Sequence, residues 1–435
     1  MTVQRSQRHL SYVLAVVLAM ALVVVGGPAG ATAGEERQRI SSISITSDKD
    51  FNPANGVRSG TGTKGDPFVI SNWDTSSLSI RDTGAWVVIK NNTIDTARLN
   101  WNGRHVTVVN NTIGDLRVNE NIPRTGDATS GLIARNDFGT VGQLRHFDGI
   151  FEKNVVGDPS DLALPFFQQQ AVLFDGFNGA RFRDNVLYGY LDIRLHGHHH
   201  GSGFDETSHH HGTENAHHGG AMDSMDHSQR YHEVTVTGNE IHSTGPWALR
   251  YNDRAHSAND RTANSEENPE LDKPHMHYTR VHLNDNLLLG SGLAVEIFNS
   301  KDELHKEIGH GSLEISGNTV KLERDTDDSF NNKNGIWISE VQVATLRLRD
   351  NVVLGAVSQL DNDVFGSADA GIRLDRISAG RIKLAGNSVA DFTYGIAASQ
   401  MDEKVHWTIA RLKAERVDYP VYYDNSVKNR PRQNP

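Results

Sequence analysis

The sequence predicts an all-β chain built as a right-handed parallel β-helix, a solenoid of stacked coils. Three observations carry that prediction. An eight-residue phrase (apolar, any, apolar, two polar, Asn, any, apolar) recurs ten times. A second strand type, usually opened by Gly, fills each later coil. Almost no segment shows the 3.6-residue periodicity of a helix.

Taken in order, the chain opens with Arg5, Arg8 and His9, an apolar run from Tyr12 to Val25, and Ala31-Thr32-Ala33. That is the pattern of a secretory signal peptide over residues 1–33. The run is short for a membrane span, and no second long apolar stretch follows, so the mature protein is expected outside the cytoplasmic membrane without a transmembrane domain. There is no cysteine, so disulfides cannot staple it there. Loss of Arg5 and Arg8 with the leader makes a formal net charge of −11 two units more negative. Such a balance excludes nucleic acid as a partner, and disfavours strongly anionic polysaccharides unless basic residues are locally concentrated.

Residues 34–82 do not fit the repeat and are expected to form the N-terminal capping region, because an open solenoid end exposes an unpaired edge. The β-helix is expected over 83–425. Its phrases include VVIKNNTI, VTVVNNTI, GIFEKNVV, VTVTGNEI and LRLRDNVV. The shared asparagines are Asn92, Asn111, Asn136, Asn154, Asn185, Asn239, Asn286, Asn318, Asn351 and Asn387. Alternating apolar residues turn one face of each short strand inward. Asn is expected where the chain turns, because it tolerates the left-handed conformation, and stacked amides can hydrogen-bond as a ladder. The Gly-led strands start at Gly189, Gly245, Gly292, Gly335, Gly371 and Gly395. Residues 426–435 are expected to be a flexible tail.

The most distinctive stretch is a His-rich insert, residues 196–232, which holds eleven of the chain's 22 histidines. It supplies His196, His198, His199, His200, His209, His210, His211, His217, His218, His227 and His232, with Met222 and Met225. A second insert, 252–279, carries His256 and His275-Met276-His277, and a third, Asn299 to Gly311, carries His305 and His310. Loops leaving the same turn of successive coils stand about 4.8 Å apart, so these inserts should share one rim. Imidazole suits copper, zinc and nickel alike, while thioether selects Cu(I), which makes copper the first expectation, zinc the alternative and nickel the third. His105, His146 and His406 lie on or near strands and are expected to be structural.

The Asn-containing repeats resemble, over about residues 60–400, the right-handed β-helix family that covers pectate lyases, other carbohydrate-active proteins and NosD-like periplasmic copper-binding proteins. The stretch GTGTKGDPFVISNWD, Gly60 to Asp74, looks like the opening phrase of NosD-like repeats. That resemblance implies a role in supplying copper to a metalloenzyme acceptor, without assigning any ligand. Two catalytic signatures of such folds match poorly. Gly309-His310-Gly311 and Arg381-Ile382-Lys383 lack the acidic pair that precedes them in polygalacturonase-type hydrolases. Asp158-Pro159-Ser160-Asp161 lacks the His of the epimerase motif.

An enzyme alternative rests on the outward positions of the Gly-led strands. Aligned by their glycines, they give a column Arg194, Arg250, Glu296, Ser339, Asp375, Ser399, with Asp192, Trp337 and Arg373 beside it. Arg250, Glu296 and Asp375 are then candidate catalytic residues of a polysaccharide lyase or hydrolase, with calcium as the cofactor of a lyase and Trp337 for stacking a sugar. A solvated ladder of ion pairs uses the same residues to little effect. A third class is a non-catalytic structural or adhesion solenoid.

Overall fold

A computed structural model describes residues 37–434 apart from 82, 102–105, 121–130, 146, 148, 165–167, 177–179, 197–231, 255–278, 299–310, 324–333 and 357–369. The chain divides after Gln38 into two units, and of the first only residues 37 and 38 are described. The expected signal peptide lies outside the described residues. Among these, no helix is long and apolar enough to cross a membrane.

Residues 39–435 form a parallel β-helix. Each phrase contributes one strand before its Asn, and these strands stack in register from Phe68–Ser71 through Val87–Lys90 and Val106–Val109 to His406–Ala410. The strands after the Asn stack as a second ladder, and the Gly-led strands as a third. In the early coils, Thr93–Trp101, Thr112–Glu120 and Asp137–Arg145, the second and third run on as one strand. Inward positions are aliphatic or aromatic, as in Ile193, Tyr251, Val295, Ile338 and Leu374, all 0 % exposed. Phe151 and Phe182, on adjacent rungs, extend this packing with ring centroids 5.8 Å apart.

The turn between the first and second ladders divides its work between two residues. The left-handed residue is the one before the repeated Asn: Asn91, Asn110, Arg135, Lys153, Asp184, Gly238, Asp285, Gly317, Asp350 and Gly386 all have φ between 53° and 70°. The repeated Asn itself is buried, at 0–2 % exposure. Asn therefore does not sit in these turns for its backbone tolerance, as the sequence suggested; its amide is what the position needs. From Asn92 to Asn351, each donates its backbone N–H and its Nδ2 to the Oδ1 of the next repeat's Asn. Nδ2 also donates to a strand carbonyl, as from Asn286 to Val236 O at 2.9 Å. None of the repeated asparagines has a buried side-chain nitrogen or oxygen without a partner.

The ends are treated differently. The region expected as a cap contributes the strands Phe68–Ser71 and Trp73–Ile80; the antiparallel strand Val57–Ser59 pairs with the first, the parallel strand Ser42–Ile45 pairs with the second, and two 3-10 turns lie between these outer strands. Trp73 stands where later coils have Asn: its N–H donates to Asn92 Oδ1 at 3.0 Å and its indole Nε1 to Gly56 O at 2.6 Å. At the other end Lys413 pairs with Ser388, so Leu412 follows Asn387 in the column and closes the ladder. The last long strand, Lys413–Tyr423, carries charged residues and Pro420, which blunt an exposed edge. Within 426–435, expected to be a flexible tail, Arg432–Asn434 pairs parallel with Thr408–Ala410.

Candidate functional site

The third ladder positions the side chains singled out for chemistry, in a register that differs from the Gly-based alignment. Leu249 pairs with Leu293, and Ala248, not Gly245, occupies the place of Gly292. Pro246 has no N–H to give a ladder, so Gly245-Pro246-Trp247 precede the strand as an extra turn. The outward columns become Arg194, Asn252, Glu296, Ser339, Asp375, Ser399, and Asp192, Arg250, Ala294, Trp337, Arg373, Ala397. Arg250 belongs to the second column, and Asn252 takes the place assigned to it.

Arg250 and Glu296 still meet diagonally. The Arg250 guanidinium lies 3.2 Å from Glu296 Oε2, which also accepts from Asn252 Nδ2 at 3.1 Å. One coil earlier, the Arg194 Nη2 donates to Asp192 Oδ2 at 2.6 Å. Asp375 stands two rungs beyond Glu296, accepts from Ser399 Oγ at 2.6 Å, and has Arg376 3.6 Å away. The three proposed catalytic residues therefore do not converge. Trp247, displaced by the extra turn, stacks on Trp337 at 5.5 Å between centroids. Burial first, and the Asp192 charge second, raise the Tyr190 phenol above its ordinary value. Asp192 Oδ1, Arg250 Nε, Asn252 Oδ1 and Trp337 Nε1 are buried without a hydrogen-bond partner among the described residues. An outward sheet face with such unsatisfied groups is where a ligand or water would be expected.

The same shift moves the inserts. The strand that should end before residue 252 continues to Arg254, and the chain returns at Thr279. His196 pairs with Arg254, and Arg254 with Phe298, so three inserts leave from the ends of adjacent in-register strands. They re-enter on adjacent rungs too, with His232 opposite Thr279 and Arg280 opposite Ser312. His196 and His232 are thus strand-end residues. His198, His199, His200, His209, His210, His211, His217, His218, Met222, Met225, His227, His275, Met276 and His277 lie outside the described residues. Among the described residues no three His, Asp or Glu side chains gather as a metal site.

Two histidines that sequence reasoning passed over have acidic neighbours. His242 Nε2 is 2.7 Å from Glu240 Oε1 and stacks on Tyr188, and this hydrogen bond holds the Glu240 carboxyl below its ordinary value. His282 lies 3.6 Å from Glu314. His406 is exposed at the start of its strand, while His105 and His146 lie outside the described residues. Asp158-Pro159-Ser160-Asp161 is a capped 3-10 turn: Asp158 accepts from Ser160 N–H, and Asp161 from Asp158 N–H. Arg381 and Lys383 point outward from the first ladder, away from the Arg250 column.

A further concentration, of basic side chains, lies apart from these positions. On the early coils Arg81, Arg98, Arg117 and Arg145, with Asn100 and Asn119, line a cleft on the outer face of the third-ladder strands. Its sequence signal is the repeated offset, Arg98 and Arg117 each falling six residues after a ladder Asn. Compared with protein-family models, curated proteins and solved structures, the chain finds no match.

Proposed function

We propose that this chain is an extracytoplasmic β-helix that binds a transition-metal ion, copper before zinc or nickel, through the His- and Met-rich inserts. Handling or delivery of the metal to a metalloenzyme acceptor, in the manner of NosD-like proteins, fits this reading. The observation that carries it is the register of the insert roots. Segments bearing sixteen His and three Met start and finish on adjacent rungs of one solenoid, so their ends are held about 4.8 Å apart per coil. Scattered histidine has no reason to distribute this way. Imidazole must be neutral to ligate, so copper affinity should fall as pH drops below about 6.5. Competition titration with a chromogenic chelator between pH 7.5 and 5.5 tests this; affinity that holds constant across the range rejects imidazole ligation.

The carbohydrate-active alternative is favoured by the stacked Trp247–Trp337 pair and the unpartnered polar atoms beside it. Its lyase form needs Arg250 as a base, yet Arg250 is engaged by Glu296 and Asp375 is two rungs further on. Release of unsaturated sugar from a polysaccharide panel, abolished by Arg250→Ala, would reinstate it. A purely structural solenoid predicts neither turnover nor tight metal.

A further inference from the structure

The first coils carry a polar surface unlike the rest of the third ladder. Arg98 and Arg117 occupy the same column on adjacent rungs, and Asn100, Asn119 and Arg145 form the column beside them. Arg81 follows Ile80, the partner of Leu99, and so heads the second column. All four arginines are exposed. Guanidiniums one rung apart repel, and elsewhere cross-rung arginines commonly meet an acid: Arg183 meets Glu152, Arg349 meets Glu314, Arg376 meets Glu340 and Arg416 meets Asp391. In the cleft the compensation is partial. Arg117 pairs with Asp115 on its own strand, Arg145 lies 3.8 Å from Asp175, and Arg81 donates to Ser79 Oγ at 3.3 Å. No acid lies within ion-pair distance of Arg81 or Arg98 among the described residues. A chain with formal net charge −11 therefore gathers four cations in one cleft whose lining, among the described residues, holds no carboxylate. Nothing in folding rewards that arrangement, whereas an anionic ligand does.

We infer that this cleft binds a linear carboxylated polysaccharide lying across the strands. A guanidinium fork takes a carboxylate in two parallel hydrogen bonds, which suits a polymer bearing one carboxylate per sugar more than a point charge. Asn100 and Asn119, between the arginines, offer amides to the hydroxyls that separate those carboxylates. Among the described residues the lining is arginine and amide side chains with Val118, and none is an aromatic of the kind on which single-stranded nucleic-acid binders stack bases. This assignment is independent of the metal-binding proposal, which concerns inserts on later coils.

The test is calorimetric titration of the whole secreted chain with oligogalacturonate and with oligoalginate at about 0.15 M salt, where surface charges are screened beyond about 8 Å. Neutral dextran and heparin serve as comparison ligands. The expected result is binding to a carboxylated oligomer, weakened at least tenfold in Arg98→Gln/Arg117→Gln. Arg347→Gln/Lys383→Gln, an exposed basic pair on adjacent rungs of the first ladder, should leave it unchanged. Circular dichroism checks that each variant keeps its β signature. Absence of binding to either carboxylated oligomer overturns the proposal, as does equal binding by the Arg98/Arg117 variant. Heparin bound as tightly as the carboxylated oligomers, with the same dependence on Arg98 and Arg117, would reduce the cleft to a generic polyanion surface and also overturn it.

Discussion

Asn92 donates twice to one atom of Asn111: its backbone N–H and its side-chain Nδ2 reach Asn111 Oδ1 at 2.9 and 3.0 Å. The two residues are 19 apart in sequence, so a local turn in one coil is completed by the next. Repeated to Asn387, the bond makes the solenoid's turns interdependent. Losing an interior member strands two donors of its predecessor in a dry site.

Asn239→Ala should therefore be costly. It leaves the N–H and Nδ2 of Asn185 without their acceptor, and each orphaned buried group costs about 1–3 kcal/mol. A loss of roughly 3 kcal/mol or more is expected in urea denaturation. Asn92→Ala strands a single donor, the Trp73 N–H, and should cost about half as much on the same grounds. Equal losses at the two positions would contradict the ladder.

Gly386 has φ +70°, and a Cβ added there would lie 2.1 Å from Asp350 Oδ1. In the turn column Asp184, Gly238, Asp285, Gly317, Asp350 and Gly386 alternate acid with glycine, so each Asp leans over a residue with no side chain. Gly386→Ala should destabilise by about 1–3 kcal/mol from backbone strain and collision. Adding Asp350→Ala should recover the part due to collision. A double variant no more stable than Gly386→Ala alone would show that backbone strain is the whole effect.

Arg250 and Glu296 are only 24 % and 20 % exposed, against 59 % for Arg117 in its pair with Asp115. A double-mutant cycle with Arg250→Met and Glu296→Gln should return a coupling of about 1 kcal/mol. The Arg117–Asp115 cycle should give less, about 0.2–0.5 kcal/mol, and be erased by salt. Equal, salt-sensitive couplings would mean that the Arg250 pair is as solvated as the other.

Two groups should contribute to the alkaline and acid limits of stability. Burial raises the Tyr251 phenol well above its ordinary value of 10.0. An acid with a raised folded-state value stabilises the fold below its unfolded value, and that contribution fades as pH climbs past 10. Tyr251→Phe should remove this alkaline component of unfolding. The hydrogen bond from Arg416 holds the Asp391 carboxyl below its ordinary 3.8. Its contribution is present above that value and lost as pH falls beneath it, so Asp391→Asn should flatten the acid limb. Unaltered pH profiles in both variants would contradict these assignments.

The repeat phrase made the fold legible because inward alternation and a turn amide are demanded on every rung, and each demand leaves its residue in the sequence. The role of Asn was only half legible. Arg135 and Lys153 show that the left-handed position accepts long polar residues, whereas its neighbour keeps one amide throughout. The register of Arg250 was misjudged because glycine marks a strand start only where the chain enters the ladder at once, and Pro246 delays that entry. The arginine cleft was hidden because cross-rung neighbours lie tens of residues apart, and an acidic whole-chain charge masks a local basic face.

Metal binding at the insert rim is decided by the metal content of the protein carrying residues 34–435, purified without a His tag and loaded with copper, beside a deletion of 197–230. Elemental analysis after dialysis should find stoichiometric copper in the first and little in the second, with the same β-sheet circular dichroism in both. Equal copper in the two proteins, or none in either, would contradict a metal-binding rim and leave the His-rich insert without the role proposed for it.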